Sequence, residues 1–520
     1  MYPFLFILSY VYMLFLKLII WKTYWKKRNI PSPDGTIFFG HTLQLFGDFK
    51  KCDERWQKEF GETYGLMIMG TPDLTTTNME IIKEVYVKQF ENFTDRQAFI
   101  PESAGEEESL LTNGMFSKGG DAWRRIRNLC SPAFTTGKMK MFVKFFNESV
   151  DKTIEILNKH CDNDKEIDMK MLCDGMTLDS IFKSTFGYKA DMQEDPNNIV
   201  RVYARKMFES DIKDPAFLFL ILFPYINSLL RKYFGYHVNE QKEHNFFRDM
   251  LSECFERRKK ELKENVNNEA PDFFKVLIKS LEEKNQINEI DNEIIFEKAT
   301  ESQKKKGMSK CEILAQGFLF LLAGYETTSN TLHFLLFMLA HHQEYQDKCR
   351  EEIINALDGK NINYIDYETV NKLNYLEQCV KESLRMYPPA GKINRMCVKR
   401  TTINGIDFEP GTTVSVSIFN LHYNDKVYPE PEVYDPDRFS PEQKALRDPL
   451  YYLPFGYGPR NCIGMRYAYL SMKVYLARLL LKFKFVTCDN SVSLPVKINA
   501  KGMTKTDKEL ILKVERINYD

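Results

Sequence analysis

Apolar and aromatic residues fill positions 2–21, interrupted only by Ser9 and Lys17. At 1.5 Å of rise per residue, about 20 helical residues cross the hydrocarbon layer of a bilayer, so this stretch is long enough to span one. Lys17 falls near its end, where a long amine reaches the interface. Trp21, Lys22, Trp25, Lys26, Lys27 and Arg28 follow. Tryptophans suit the interfacial belt, and basic residues behind an apolar segment place that side in the cytoplasm. A cleaved signal peptide would carry its basic residues first and a small-residue cleavage site after, and neither is present. The pattern predicts a membrane anchor over 1–28 and a stiff proline hinge over 29–36, which contains Ile30-Pro31-Ser32-Pro33-Asp34-Gly35.

From residue 37 onward helical periodicity dominates. It predicts helices over 121–130, 139–160, 239–265, 309–341, 344–357 and 371–386. Strand signals are few. Asn404-Gly405 between Ile403 and Ile406 reads as a tight hairpin turn, and Val414-Ser415-Val416-Ser417-Ile418 alternates as a half-buried strand. The segment over 309–341 is the most informative. Ser309 and Glu312 have capping-box spacing, and apolar runs on both sides enclose Tyr325-Glu326-Thr327-Thr328-Ser329-Asn330. A lipid-spanning helix would not carry an acid and so many hydroxyl and amide groups at its centre. A helix buried through a large soluble body accounts for them in two ways. Either the hydroxyls bond the carbonyl four residues back and Glu326 pairs with a basic group, or this buried acid beside two threonines has a functional explanation.

Composition narrows the function. The 520 residues carry 72 basic and 72 acidic side chains, which removes a global electrostatic case for nucleic acid. A hydrophobic share of 43% with 13% aromatic residues supports a large core, while a mean hydropathy of -0.40 excludes a polytopic membrane protein. Length alone suggests several domains. Five of the 72 basic residues and no acid fall in 1–33, leaving 67 against 72 in the rest, so a cationic foot joins a mildly acidic body. Eleven cysteines make an odd set with no CxxC pair and no zinc spacing. Reduced thiols are expected, at most one or two of them carrying chemistry.

One cysteine stands apart. Phe455-Gly456-Tyr457-Gly458-Pro459-Arg460-Asn461-Cys462-Ile463-Gly464 is a glycine-rich loop opening an apolar helix over 465–480. Cys462 falls at the helix start, where free N–H groups and the helix dipole favour a thiolate. Arg460 adds a fixed cation for an anionic ligand. A loop around a buried free thiol is the plain alternative. A P-loop is excluded, since no Gly-Lys-Ser/Thr follows.

The segment resembles the haem-binding signature of cytochromes P450, Phe-x-x-Gly-x-Arg-x-Cys-x-Gly, at every fixed position. Other segments resemble motifs of that family in the family's order. They are Trp123-Arg124-Arg125-Ile126-Arg127, Ala323-Gly324-Tyr325-Glu326-Thr327, Glu382-Ser383-Leu384-Arg385 and Pro436-Asp437-Arg438-Phe439. The run 454–464, with Ser131-Pro132-Ala133-Phe134, looks most like the microsomal drug- and steroid-oxidising branch that includes the vertebrate 3A group. The hinge departs from it, with Pro-Ser-Pro-Asp-Gly where that branch often has Pro-Pro-Gly-Pro.

The resemblance implies a mainly α fold: one cytochrome P450 catalytic domain over 37–520, large and helical with small β-sheets, plus one N-terminal transmembrane helix. It implies haem b as the cofactor and O2 as co-substrate. Cys462 would be the axial ligand of the haem iron, with Phe455 shielding it and Ile463, Gly464 and Ala323 against the cofactor. Trp123, Arg127, Arg395 and Arg460 would hold the propionates, although Arg395 taken alone reads equally as a surface cation. Glu382, Arg385 and Arg438 would form a buried structural triad, whereas Glu382 and Arg385 taken alone share a helix face as a solvated pair does. Thr327 and Glu326 would deliver the two protons that reductive cleavage of O2 consumes, at a helix distortion by Gly324.

The chain has no dinucleotide-binding glycine fingerprint. The resemblance therefore implies electrons from NADPH through NADPH–cytochrome P450 reductase, with cytochrome b5 as a further partner, at the cytoplasmic face of the endoplasmic reticulum membrane. It implies a lipophilic small-molecule substrate and no nucleic acid. Arg124, Arg125, Lys138, Lys140 and Lys144 form a candidate docking face, or a plain solvated one. Residues 208–223, 99–116 and 390–393 are expected to shape the substrate pocket, while Phe217, Phe219 and Phe223 fit a membrane-dipping surface equally well. Three functions suit the resemblance: a monooxygenase, an isomerase or dehydratase acting on a peroxide without reductase, and a non-enzymatic haem binder. The Glu326-Thr327 pair favours the first, because rearranging a peroxide needs no proton relay.

Overall fold

The computed structural model describes residues 23–36, 39–97, 109–188, 192–208, 242–264, 272–279 and 307–518. Its main helices are α1 (Thr42–Phe60), α2 (Gly120–Cys130), α3 (Thr136–Asp162), α4 (Met169–Phe186), α5 (Lys242–Lys263), α6 (Lys310–His341), α7 (Gln343–Leu357), α8 (Asn374–Met386) and α9 (Met465–Lys482). The helix α6 packs against α4, α5, α7, α8 and α9, and every residue from Thr328 to Ala340 is buried. Burial all round marks a helix inside a large body. Its start is a capping box: Glu312 N–H donates to Ser309 Oγ at 3.1 Å, and Ser309 N–H donates to Glu312 Oε2 at 2.8 Å.

The pattern of apolar positions misses α4, and burial explains why. From Leu172 to Phe186 only Lys183 is not buried, so no polar face interrupts the sequence to reveal a period. Its hydroxyls are satisfied within the helix, with Thr177, Ser180 and Ser184 each donating to the carbonyl four residues back. The helix expected over 371–386 is two, Tyr367–Lys372 and α8. Leu373 between them has ψ 78°, and α8 is capped from outside by Glu352, which accepts from Tyr375 N–H at 2.7 Å and Leu376 N–H at 2.9 Å.

A mixed sheet runs in the order β1 (Thr63–Ile68), β2 (Thr71–Thr76), β6 (Thr413–Ser417), β3 (Lys392–Met396). Between β3 and β6 the hairpin β4 (Thr401–Ile403) and β5 (Ile406–Phe408) turns at Asn404 and Gly405, both at positive φ, as its sequence predicts. Strand β6 is not half-buried: paired on both sides, it is buried at all five residues.

The anchor residues 1–22, Trp21 included, lie outside the described residues, and no described helix is long and apolar enough to cross a membrane. Trp25 corrects one expectation. It does not reach an interfacial belt but is 2% exposed in a protein core, its indole N–H donating to Leu66 O at 2.8 Å. The hinge is also sewn to the body, with Gly65 N–H on Pro31 O at 2.8 Å and His41 Nε2 2.9 Å from Pro33 O.

Candidate functional site

Cys462 lies two residues ahead of Gly464, the N-cap of α9. The loop reaches it through Gly458, at φ +74°, where a Cβ would lie 2.0 Å from the Tyr86 carbonyl oxygen. Only glycine permits that approach. Cys462 N–H donates to Phe455 O at 2.9 Å, closing the turn, while the Phe455 ring packs on Tyr469 at 5.2 Å. Ile463 packs against the main core. The amides of Gly464 and Met465 donate to the Cys462 sulfur, so the helix-start groups are in place. Burial nevertheless outweighs them and raises the thiol pKa, against the pull of Arg127 and Arg96. Cys462 is exposed as a residue although protein surrounds its thiol, the combination expected of a side chain that faces a recess in the protein.

Four guanidiniums gather on that side. Arg127 of α2 donates to Asn461 O at 2.6 Å and Asn461 Oδ1 at 2.9 Å. Arg460, 2% exposed, donates to the carbonyls of Thr94, Phe116 and Lys118 and lies over the Trp123 ring, 5.0 Å from its centroid. Arg395 in β3 is 1% exposed and lies over Tyr86, so it is no surface cation. Arg96, absent from the sequence reading, donates to Arg460 O at 3.1 Å. Among the described residues no carboxylate forms an ion pair with any of the four. Burial depresses all four. Repulsion adds to it at three: Arg460 falls to about 10, with Arg395 and Arg127 pushing down against the pull of Asp95, Arg96 falls under Arg395 and Arg460, and Arg395 under Arg127. The Nε atoms of Arg395 and Arg460 are buried without a hydrogen-bond partner. Burying like charges this way is costly unless an anion completes the site. The set fits a ligand with two carboxylates and a soft-metal centre able to take the thiolate.

Across α6, Ala323 is exposed and Leu319, Phe320, Gly324 and Thr327 are partly accessible, although the helix is otherwise buried here. This helical stripe borders the thiol through Phe134, whose ring lies 5.6 Å from Phe320 and which, with the Cys462 sulfur, would be 4.0 Å or less from a Cβ at Gly464. The Thr327 hydroxyl donates to Ala323 O at 2.6 Å. Glu326 points elsewhere: it is 2% exposed and pairs with Lys170 of α4 at 3.2 Å. Both geometric features of the plain reading, the back-bonded hydroxyl and the paired acid, are therefore present. The expected distortion at Gly324 is not, for α6 runs unbroken. A Cβ at Gly324 would lie 2.6 Å from Ile181 Cδ1, so glycine is there for close packing with α4.

The triad is buried. Arg385 holds Glu382 through two hydrogen bonds at 2.7 and 2.8 Å, both side chains are 0% exposed, and Arg438 Nε stands 3.5 Å from Glu382 Oε1. Asp435 N–H adds a third hydrogen bond to the carboxylate at 3.1 Å.

The candidate docking face is largely self-compensated. Arg125 bridges Glu312 and donates to Gly307 O, so it fastens the start of α6. Arg124 pairs with Glu91, Lys140 with Glu368 and Lys144 with Glu148. Of the predicted pocket segments, residues 209–223 and 99–108 lie outside the described residues. A surface groove of about 580 Å³ lined by Lys152, His160, Met171 and Arg201 shares no residue with the thiol site. Arg96 escaped the sequence reading because it sits in a loop without motif or period. Only its convergence with Arg395 and Arg460 reveals it.

Comparison with known proteins agrees with this geometry. The sequence profile of the family described as Cytochrome P450 matches residues 30–514. Cytochrome P450 3A9 of Rattus norvegicus is 34% identical over 490 residues, covering 94% of this chain and 92% of the relative. Cytochrome P450 3A13 of Mus musculus is 33% identical, with the same coverage of each. Cytochrome P450 3A28 of Bos taurus is 32% identical over 94% of this chain and 91% of its own.

Proposed function

The chain belongs to the cytochrome P450 family and is a monooxygenase of it; from that premise we propose that it inserts one atom of O2 into a lipophilic small molecule of the xenobiotic, steroid or fatty-acid class. Haem b, when bound, supplies an iron whose thiolate ligand favours O–O cleavage. Cys462 is the residue to provide that thiolate, Arg96, Arg127, Arg395 and Arg460 to bind the propionates, and Trp123 to pack beneath Arg460. The observation that carries the reading is the cationic cluster beside the thiol: four guanidiniums with no carboxylate paired to them among the described residues, Arg395 and Arg460 fully buried with unpartnered Nε atoms, suit a dianion.

Thr327 offers a hydroxyl on the accessible stripe of α6, and Glu326 behind it supplies the proton reservoir, linked outward through Lys170. Electrons come from NADPH through the separate reductase, with cytochrome b5 as a second donor, at the cytoplasmic face of the endoplasmic reticulum membrane. The apolar segment 2–21 anchors the chain there in a single pass, while Trp25 and Arg28 already belong to the body; Ala323 lines the cofactor side of α6, and Ile463 and Gly464 complete the cysteine loop. The compensated face of α2 and α3 argues that docking rests on other cations.

The reduced, carbon-monoxide-bound difference spectrum tests the reading. Wild type should show the thiolate-type band and Cys462→Ala should lose it, while an unchanged band in the variant would overturn the ligand assignment. Product formation should need NADPH and reductase. Turnover of a peroxide without either would instead indicate an isomerase.

A further inference from the structure

His422 ends a short helix, Ile418–His422, that follows β6, and it is fully buried. Its Nε2 lies 3.0 Å from Leu453 N, a donor, so this nitrogen must accept. Nδ1 therefore carries the proton and donates to Arg385 O at 3.0 Å. Arg385 returns the contact, its Nη1 donating to His422 O at 2.9 Å, while Glu382 fixes the guanidinium from the other side. One neutral tautomer thus joins the Glu382–Arg385 core to the backbone of Leu453.

That backbone leads directly into the cysteine loop. Leu453 O accepts from Gly456 N–H at 3.0 Å, and Phe455 O accepts from Cys462 N–H at 2.9 Å. The His422 ring also stacks on Tyr452, 5.4 Å away at 20°, and the Tyr452 hydroxyl donates to Lys381 O on α8 at 3.1 Å. Hydrogen bonds joined by short stretches of backbone therefore connect the triad to the amide of Cys462. No other polar side chain makes the Leu453 connection among the described residues.

We infer that His422 is a positioning residue for Cys462, setting the cysteine loop against the Glu382–Arg385 core through the Leu453 amide; the inference rests on Cys462 being the haem ligand. Two amide substitutions separate positioning from packing. The side-chain nitrogen of Asn lies as many bonds from Cβ as Nδ1, so His422→Asn keeps the donor to Arg385 O and loses the acceptor for Leu453. The side-chain oxygen of Gln lies as many bonds from Cβ as Nε2, so His422→Gln keeps the acceptor and loses the donor. Each removes one hydrogen bond and leaves one buried backbone group unpaired.

The experiment compares the full-length variants, loaded with haem, by carbon-monoxide difference spectrum and by the rate of haem transfer to apomyoglobin. Unfolding of each apoprotein is measured beside them. His422→Gln should keep the thiolate-type band, with haem release close to wild type. His422→Asn should lose part of that band and release haem roughly tenfold faster, which corresponds to about 1.4 kcal/mol. The two apoproteins should be destabilised alike. Tyr452→Phe, which removes the hydroxyl's bonds to Lys381 O and to Tyr469 but keeps the ring on His422, is the milder companion and should shift in the same direction. Equal spectra and release rates for Asn and Gln, with the wild-type band intact, would overturn the inference alone. A thiolate-type band that survives Cys462→Ala would overturn the ligand assignment, and this inference with it.

Discussion

The ammonium of Lys170 stands 3.2 Å from the carboxylate of Glu326 and 2.8 Å from that of Asp174, on the side of α6 turned away from Thr327. Burial works against the charged amine, but Asp174 and Glu326 more than offset it and raise its pKa. Ser329 donates to Asp174 and Arg205 approaches it at 3.6 Å, so two buried acids share the positive charge of two partly exposed cations. Lys170, with a side chain 27% exposed, joins this interior cluster to solvent.

Lys170→Met should leave Asp174 and Glu326 buried without their principal counter-charge. Breaking such a pair costs about 3 kcal/mol, the low end for a buried pair because the amine is partly solvated. Urea unfolding measures the loss, and peroxide released per NADPH should rise as the proton path is cut. A stability change near zero would show that Arg205 alone compensates the acids.

Thr327→Ala removes a hydroxyl whose recorded bond is to its own helix. Stability should change by less than about 1 kcal/mol, yet peroxide release should rise and product per NADPH fall. Thr327→Ser, which keeps the hydroxyl, should restore much of the coupling. Intact coupling in the alanine variant would refute a proton role.

Arg96→Leu should act oppositely on the two forms of the protein. Without cofactor, it relieves repulsion from Arg395 and Arg460, so unfolding free energy should hold or increase. Haem binding, titrated by tryptophan quenching, should weaken roughly tenfold for one lost charge-assisted contact of about 1.5–3 kcal/mol. Unchanged haem affinity would remove Arg96 from the propionate set.

Acid should destabilise the protein through its buried imidazoles. Burial pushes His333 and His422 down to about 3, with Lys170 adding to the depression at His333 and Arg385 at His422. Unfolded histidine titrates near pH 6.5. Between about 6.5 and 3 the unfolded chain therefore binds protons that the folded one refuses, and stability falls with pH by up to about 1.4 kcal/mol per unit for each ring. His333→Gln should flatten the stability-against-pH slope over that window by one ring's share. An unaltered slope would mean that the carboxylates alone set it.

Local signals read from the sequence held wherever they are short-range. The capping box at Ser309 and Glu312, the Asn404-Gly405 turn and the start of α9 beside Cys462 are each specified within a few residues, and each forms. Periodicity failed for α4, since it senses only one-sided burial, and merged two helices across Leu373, which stays in apolar phase though its backbone leaves the helix.

The sequence by itself determined which cysteine differs from the other ten, that Glu382 and Arg385 share a helix face, and that a polar centre interrupts a buried helix. The tertiary structure alone decided their partners. Lys170 and Glu326 are 156 positions apart, Arg96 and Arg460 are 364, and His422 meets Leu453 across 31. Burial turns such meetings into energy, because a charge or amide removed from water must be answered by whatever the fold brings beside it. No local pattern encodes that choice. It is made when α4 closes on α6, and when the loops carrying Arg96 and Cys462 come together.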